Sequence, residues 1–140
     1  MQIRSFQLSD YRPVAELLQD VLSEECCEET MDAFARQLSW DSDLILVASI
    51  EGEVAGVLIG TIDQAKGYVY RIAVGKQHQR QGVGKALVKG MHTRFRQRKV
   101  MKMLIAEDKH NKLLRPFYEA LGVSPAHFAV PAQPLAIVAG

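Results

Sequence analysis

Hydrophobic and polar positions recur along this chain with two periods, near 3.6 and near 2, and the switches between them mark its elements. Residues 3–6 read as a short strand. Ser9 or Asp10 then caps a helix in which Val14, Leu17, Leu18, Val21 and Leu22 form one apolar stripe. Pro13 fits because it falls in the first turn. A second helix is predicted over 28–38, with Met31, Phe34, Ala35 and Leu38 on its buried face and an acidic connection, 23–29, before it. Two β-branched runs, 44–50 and 54–62, flank Glu51-Gly52-Glu53, the pattern of an antiparallel hairpin. After a turn at 64–67, residues 68–74 form the third strand of this meander. A helix over 84–98, a buried strand over 100–106 and a polar loop over 107–112 follow. A short helix ends at Leu121 against Gly122, and Pro116 requires it to begin near Leu113 or later. Residues 126–130 and 135–139 give two further strands, and Pro131 and Pro134 between them suggest edge strands. The order β-α-α-β-β-β-α-β-α-β-β predicts an α/β fold (a mixed α+β sheet with helices on both faces) in one domain, 1–140.

Composition narrows this picture modestly. With 140 residues, 48% hydrophobic and 24% charged, the chain suits an ordinary globular core. No apolar run approaches the ~18 residues of a membrane helix, and the first ten residues lack a secretion-signal core, so a cytoplasmic protein without membrane contact is expected. Cys26 and Cys27 are neighbours, a spacing for neither a disulfide framework nor zinc, and His78, His92, His110 and His127 lie far apart; no metal site is expected. Charge is lopsided although the net is only +1. Residues 1–66 hold 13 of the 16 acids and 4 of the 17 bases, and residues 67–140 hold the rest. The basic part suits an anionic ligand, and the acidic part a cationic one.

The chemistry concentrates between Tyr68 and Gly90. A strand ends at Val74, a polar loop follows, and Gln79-Arg80-Gln81-Gly82-Val83-Gly84 opens directly into an amphipathic helix. The first N–H groups of a helix lack internal partners and sit at the positive end of its dipole. Glycine at 82 and 84 removes side chains that would hold a phosphate off those amides, and Arg80 and Lys85 add charge. A phosphate-bearing ligand is therefore expected. A dinucleotide fingerprint fails because Leu87 stands at the third glycine and no acid follows until Glu107; a Walker loop fails because Ala86 follows Gly84-Lys85.

The pattern [QR]-x-x-G-x-[GA] does fit, at Gln79, Gly82 and Gly84, and downstream lie Asn111 and Phe117-Tyr118-Glu119-Ala120-Leu121-Gly122. In these two motifs, and in the order of elements over nearly the whole chain, the sequence resembles the GNAT superfamily of acetyl-CoA-dependent N-acetyltransferases. The resemblance implies that acetyl-CoA is the co-substrate and an amine the acceptor. It implies that Ile72, Ala73 and Val74 offer backbone groups to the pantetheine arm, and that the amides of Gln79, Arg80, Gln81, Gly82, Val83, Gly84 and Lys85 cradle the pyrophosphate. Asn111 would hydrogen-bond pantetheine or neighbouring backbone. The Val74 amide would serve the thioester carbonyl and the Tyr118 hydroxyl its sulfur, with direct attack in a ternary complex.

The base is left open. Relatives often carry a glutamate where Tyr70 stands, so Glu107, Tyr70, an acid of 24–29 and ordered water are all candidates. Further departures are Gly75-Lys76, where relatives often have a proline turn, and Pro116, close to Tyr118. Two other function classes stand beside the enzyme: a non-catalytic acyl-CoA binder, and a nucleic-acid module using the basic run 94–99, which reads better as a solvated helix end. Edge strands at the C-terminus leave a homodimer open.

Overall fold

The computed structural model describes residues 1–123 and 127–129. Its elements are β1 (Gln2–Ser5), α1 (Tyr11–Val21), α2 (Glu24–Asp41), β2 (Ile45–Ile50), β3 (Glu53–Asp63), β4 (Lys66–Val74), α3 (Val83–Gln97), β5 (Met103–Ala106), α4 (Lys109–Leu113), α5 (Arg115–Ala120) and β6 (Phe128–Ala129). Six strands form one mixed sheet in sequence order. Neighbours from β1 to β4 pair antiparallel, while β4–β5 and β5–β6 pair parallel. The predicted mixed sheet with helices on both faces is what the chain adopts. The second C-terminal strand, 135–139, lies outside the described residues, and with it the edge on which a homodimer was expected.

Strand alternation builds a core on each face. Leu44, Leu46, Leu58 and Val69 meet Leu87, Met91 and Phe95 of α3. Ile45, Val47, Val57 and Ile59 meet Val14, Leu18 and Phe34 of α1 and α2. The hairpin expected at 51–53 turns on Glu51 and Gly52, both at positive φ (51° and 82°), which suits the right-handed twist of its strands.

Several expectations need correction. α2 starts at Glu24, so the acidic run is its first turns and not a connection; the Ser23 hydroxyl accepts from the Cys26 N–H at 3.2 Å and caps it. Its buried face carries Cys26, Cys27, Thr30, Ala33, Phe34 and Gln37, while Ala35 is exposed. Two polar residues on that face hid the stripe. Asp10 does not cap α1; its carboxylate binds Arg4 at 2.6 and 2.9 Å and accepts from the Gln7 N–H at 2.8 Å. The 107–112 loop contains α4, which Asp108 caps through the Asn111 N–H at 2.8 Å. Pro116 opens α5, and Gly122 closes it at φ 88°, as expected.

One irregularity positions everything that follows. Ile59 pairs with Arg71 and Gly60 with Val69, so Tyr70 is an extra residue on β4, a β-bulge. The bulge breaks alternation. Tyr70 and Arg71 consequently both lie on the α1/α2 face, with the Arg71 guanidinium 4.7 Å from the Tyr70 ring centre. Beside it, the parallel pairing of β4 with β5 ends at Val69 and Ile105. From there to Val74, β4 has no strand on that side among the described residues. Among the described residues, no helix is long and apolar enough to cross a membrane.

Candidate active site

Where β4 and β5 part, Asn111 fills the fork. Its side-chain amide donates to the Tyr70 carbonyl at 2.9 Å and to the Ala106 carbonyl at 2.7 Å, bridging the two strands just past their last paired residues. The side chain is wholly buried, and its oxygen accepts from Arg71 at 3.3 Å. Of the two expected roles of Asn111, the bonds observed are those to neighbouring backbone. The strands separate at a fixed point because two orphan carbonyls share one donor group.

Arg71 was not singled out from the sequence, yet it ties three elements to this fork. Only 1% exposed, it donates to Thr30 of α2 at 2.9 Å and to both Asp108 oxygens at 3.2 and 3.0 Å. Burial works against its charge, but the hydrogen bonds and charge of Asp108 outweigh it and raise its pKa. Removing one partner of such a buried pair commonly costs about 3–5 kcal/mol. A charged residue among Tyr68, Val69, Ile72 and Ala73 was the available signal, since a buried cation demands a partner.

A cleft of about 490 Å³ opens along the unpaired edge of β4. Its walls are Ile72, Ala73 and Val74, the loop residues Gln79, Arg80, Gly82, Val83, Gly84 and Lys85, and Val21, His78, His110, Leu114 and Phe117. Backbone direction can be followed along β4. The Gly75 N–H donates across to Ala55 at 2.8 Å, so by alternation Val74 and Ile72 present their N–H and C=O groups to the cleft. Ala73, paired with Val57, turns its own toward β3, so of the three expected backbone contributors only Ile72 and Val74 are aimed at the cleft. The Val74 carbonyl accepts from the Gln79 side chain at 3.1 Å, which staples the loop to the strand and leaves the Val74 N–H.

The loop delivers the start of α3 to this cleft. Arg80 (φ 64°) and Gly82 (φ 80°) both take left-handed backbone; the first costs roughly 1–2 kcal/mol for a residue with a side chain. Open space surrounds the missing Cβ of Gly82, so glycine is required there by conformation alone. Gly84 answers a different need: a Cβ would lie 2.8 Å from the Phe117 ring, so its absence lets α5 close against α3. No side chain caps α3 and its first turn has no acid, leaving its N–H groups directed outward. Gln81 does not line the cleft; its side chain donates to the Gln77 carbonyl at 3.3 Å.

Neither Tyr118 nor Glu107 is among the described residues that line this cleft. Tyr118 is fully buried, with Phe117 and Phe128 packed edge-on at 5.2 and 5.8 Å, and its hydroxyl has no hydrogen-bond partner among the described residues. Burial pushes its pKa far above 10, so the hydroxyl keeps its proton at neutral pH. Glu107 faces a neighbouring cleft of about 670 Å³ that runs between the first turns of α2 and α4, where it meets Arg115 at 3.5 Å. Within the basic run 94–99, Arg94 is held by Ser5 and the Asp43 carbonyl, and Arg98 by Asp41, so these cations serve the fold. No group of three or more His, Cys, Asp or Glu among the described residues could hold a metal ion.

Comparison with known proteins agrees with this geometry. The chain superimposes on a GNAT family acetyltransferase from Brucella melitensis in complex with acetyl-CoA (TM-score 0.73, 15% identity, 95% of this chain and 88% of that one). It is likewise similar to the PaiA N-acetyltransferase of Thermoplasma acidophilum in complex with coenzyme A (TM-score 0.69, 17% identity, 85% and 86%). A third is the ribosomal-protein-S18-alanine N-acetyltransferase of Escherichia coli (TM-score 0.64, 23% identity, 86% and 76%). At these identities the likeness establishes the fold. Residues 11–123 match the family model described as "Acetyltransferase (GNAT) family", which takes in β4, the anion loop, the fork and Tyr118, and the chain belongs to that family.

Proposed function

We propose that this protein transfers an acetyl group from acetyl-CoA to a primary amine by direct attack within a ternary complex. One observation carries the reading: an unpaired β4 edge and an uncapped helix start line the same cleft, about 490 Å³ in volume. A diphosphate suits the outward N–H groups of α3, assisted by Arg80 and Lys85. An extended amide-bearing arm suits the free edge of Ile72 and Val74, as an added strand would. The orphaned Tyr118 hydroxyl supports the fit, because a buried, protonated, unpartnered donor lacks only an acceptor.

Acetyl-CoA, when bound, supplies the acyl group as an activated thioester. The Val74 N–H stabilises charge on the thioester oxygen, a role commonly worth about 3 kcal/mol per donor. Tyr118 donates its proton to the departing sulfur. The arms of the fork hold acceptor and thioester in line, and much of the acceleration is positional. The reading is supported by membership in the acetyltransferase family, whose similar structures include complexes with coenzyme A and acetyl-CoA.

Calorimetry with acetyl-CoA tests the first half, and no heat of binding would end the proposal. Thiol release with polyamines, aminoglycosides, amino acids and peptides tests the second. Tyr118→Phe separates packing from chemistry. Losing an unpaired buried hydroxyl should leave stability unchanged or slightly raised, while turnover falls by about tenfold or more if the proton donor is lost. A rate equal to wild type would remove Tyr118 from the mechanism.

A further inference from the structure

We propose that His110 is the general base of the reaction, standing where the cleft for the thioester meets the cleft for the acceptor amine. The inference rests on the acetyl-transfer reading above. Among the described residues that line the two clefts, His110 alone lines both. It is the second residue of α4, directly before Asn111, so the side chain that bridges the fork also fixes its position. Ile72 and Val74, whose backbone edge runs along the first cleft, face it from β4; the first turns of α2 face it across the second.

The other candidates fail on position or protonation. Tyr70 keeps its proton, because burial raises its pKa. Glu107, with Arg115 beside it, lines only the second cleft, as do Glu25 and Glu29. His78 lines only the first, and Arg80 and Lys85 beside it are cations that cannot accept a proton. His110 can. Burial first, and then the charge of Arg71, lower its pKa below 6.5, with Asp108 pulling the other way, so the ring is neutral at neutral pH. The second cleft, which His110 lines, is also lined by Glu25, Glu29 and Cys26 from α2, Glu107, and Lys109 and Lys112.

The step balances as follows. The acceptor ammonium, with a pKa near 10.4, first loses one proton to water. The lone pair of the neutral amine then forms the C–N bond. The attacking nitrogen, now positive and strongly acidic, gives its second proton to the His110 imidazole. The C–S bond breaks with its electron pair on sulfur, which takes the Tyr118 proton. Once the products leave, His110 gives up its proton and Tyr118 regains one, so the protein ends the cycle as it began. Ammonium and thioester become amide, thiol and one released proton.

The test uses the whole chain with acetyl-CoA and whichever amine of the panel gives the fastest thiol release. His110→Gln should lower kcat by about 10²-fold, the usual worth of a general base, with acetyl-CoA affinity kept. The wild-type kcat profile should show an acid limb below pH 6.5 that the variant lacks, and added imidazole should restore part of the rate to His110→Ala. Should the variants fold poorly, NMR titration of the wild-type ring supplies the second measurement. Its resonance should shift on adding acetyl-CoA and again on adding the amine. An unchanged kcat in His110→Gln, a persisting acid limb, or a ring resonance that ignores both ligands would overturn the assignment. Failure of wild-type protein to bind acetyl-CoA would instead overturn the reading on which it rests.

Discussion

At the start of α2, Ser23 accepts from the Cys26 N–H, and Glu24 and Glu25 sit in the first turn. At the start of α3, Gly82 occupies the cap position without a side chain, the first turn has no acid, and Arg80 and Lys85 stand nearby. Both helices present orphan N–H groups at the positive end of a dipole. In α2 that potential is met by its own residues and contributes to stability. In α3 no side chain caps the helix start and no acid sits in its first turn, which is where the proposed function seats the diphosphate. The lesson concerns reading function: an open helix start becomes informative when another helix of the same chain shows how closure looks.

Changes at these ends can break or sharpen the contrast. Gly82→Asp would give α3 the internal anion that α2 already has, in a left-handed conformation that Asp tolerates better than most residues. We expect acetyl-CoA affinity to fall about a hundredfold, roughly 3 kcal/mol, with the thermal midpoint nearly unchanged; calorimetry beside thermal unfolding reads both. An affinity within threefold of wild type would mean the loop is not the anion site.

The start of α1 offers a third case, in which the acid turns away from its helix to Arg4. The hydrogen bond from Arg4, aided by the Gln7 N–H, holds the Asp10 pKa below 3.8 against its burial. The folded value is depressed, so this stabilisation is complete well above pH 3.8 and is lost as pH falls through the lower, folded value. Asp10→Asn should cost about 2 kcal/mol near neutral pH. In urea unfolding followed from pH 6 to pH 3, the gap between variant and wild type should narrow only in the most acidic part.

Ser23→Ala should cost about 1 kcal/mol through the lost cap of α2. Acetyl-CoA binding should not change, because this helix start has no place in the cofactor cleft. A marked loss of affinity would show that the two ends are coupled. The smallest effect is expected for Arg80→Gln: a few-fold weaker acetyl-CoA binding at low salt, a difference of about 0.5–1 kcal/mol. It should shrink by 1 M salt, where charges beyond about 3 Å are screened.

Much of the cleft proposed for the cofactor was legible because its signals are local. The [QR]-x-x-G-x-[GA] pattern, the strand before it and the helix after it lie within one stretch of chain, and their backbone conformation follows from nearby residues. What was missed depends on distance. Thr30 stands 41 residues from Arg71 and Asp108 stands 37; they matter because the fold brings both to it, at 2.9 and 3.0 Å. The buried face of α2 was misjudged for the same cause, since Thr30 and Gln37 look solvent-facing until their partners are known. Gly84 was assigned to phosphate access, and the approach of Phe117 adds a packing role that no adjacent residue announces.

By itself the sequence determined most of the order of elements, though not α4, together with the family pattern and a glycine-bearing helix start with no acid in its first turn, all properties of short stretches whose torsions and hydrogen bonds are settled locally. Tertiary structure alone decided that Asn111 bridges β4 and β5, that Tyr118 is sealed under aromatic rings, and that His110 borders two clefts. Those facts depend on which distant surfaces must pack together to leave water. A side chain's burial, partners and protonation follow from that packing, and residue order alone does not carry it.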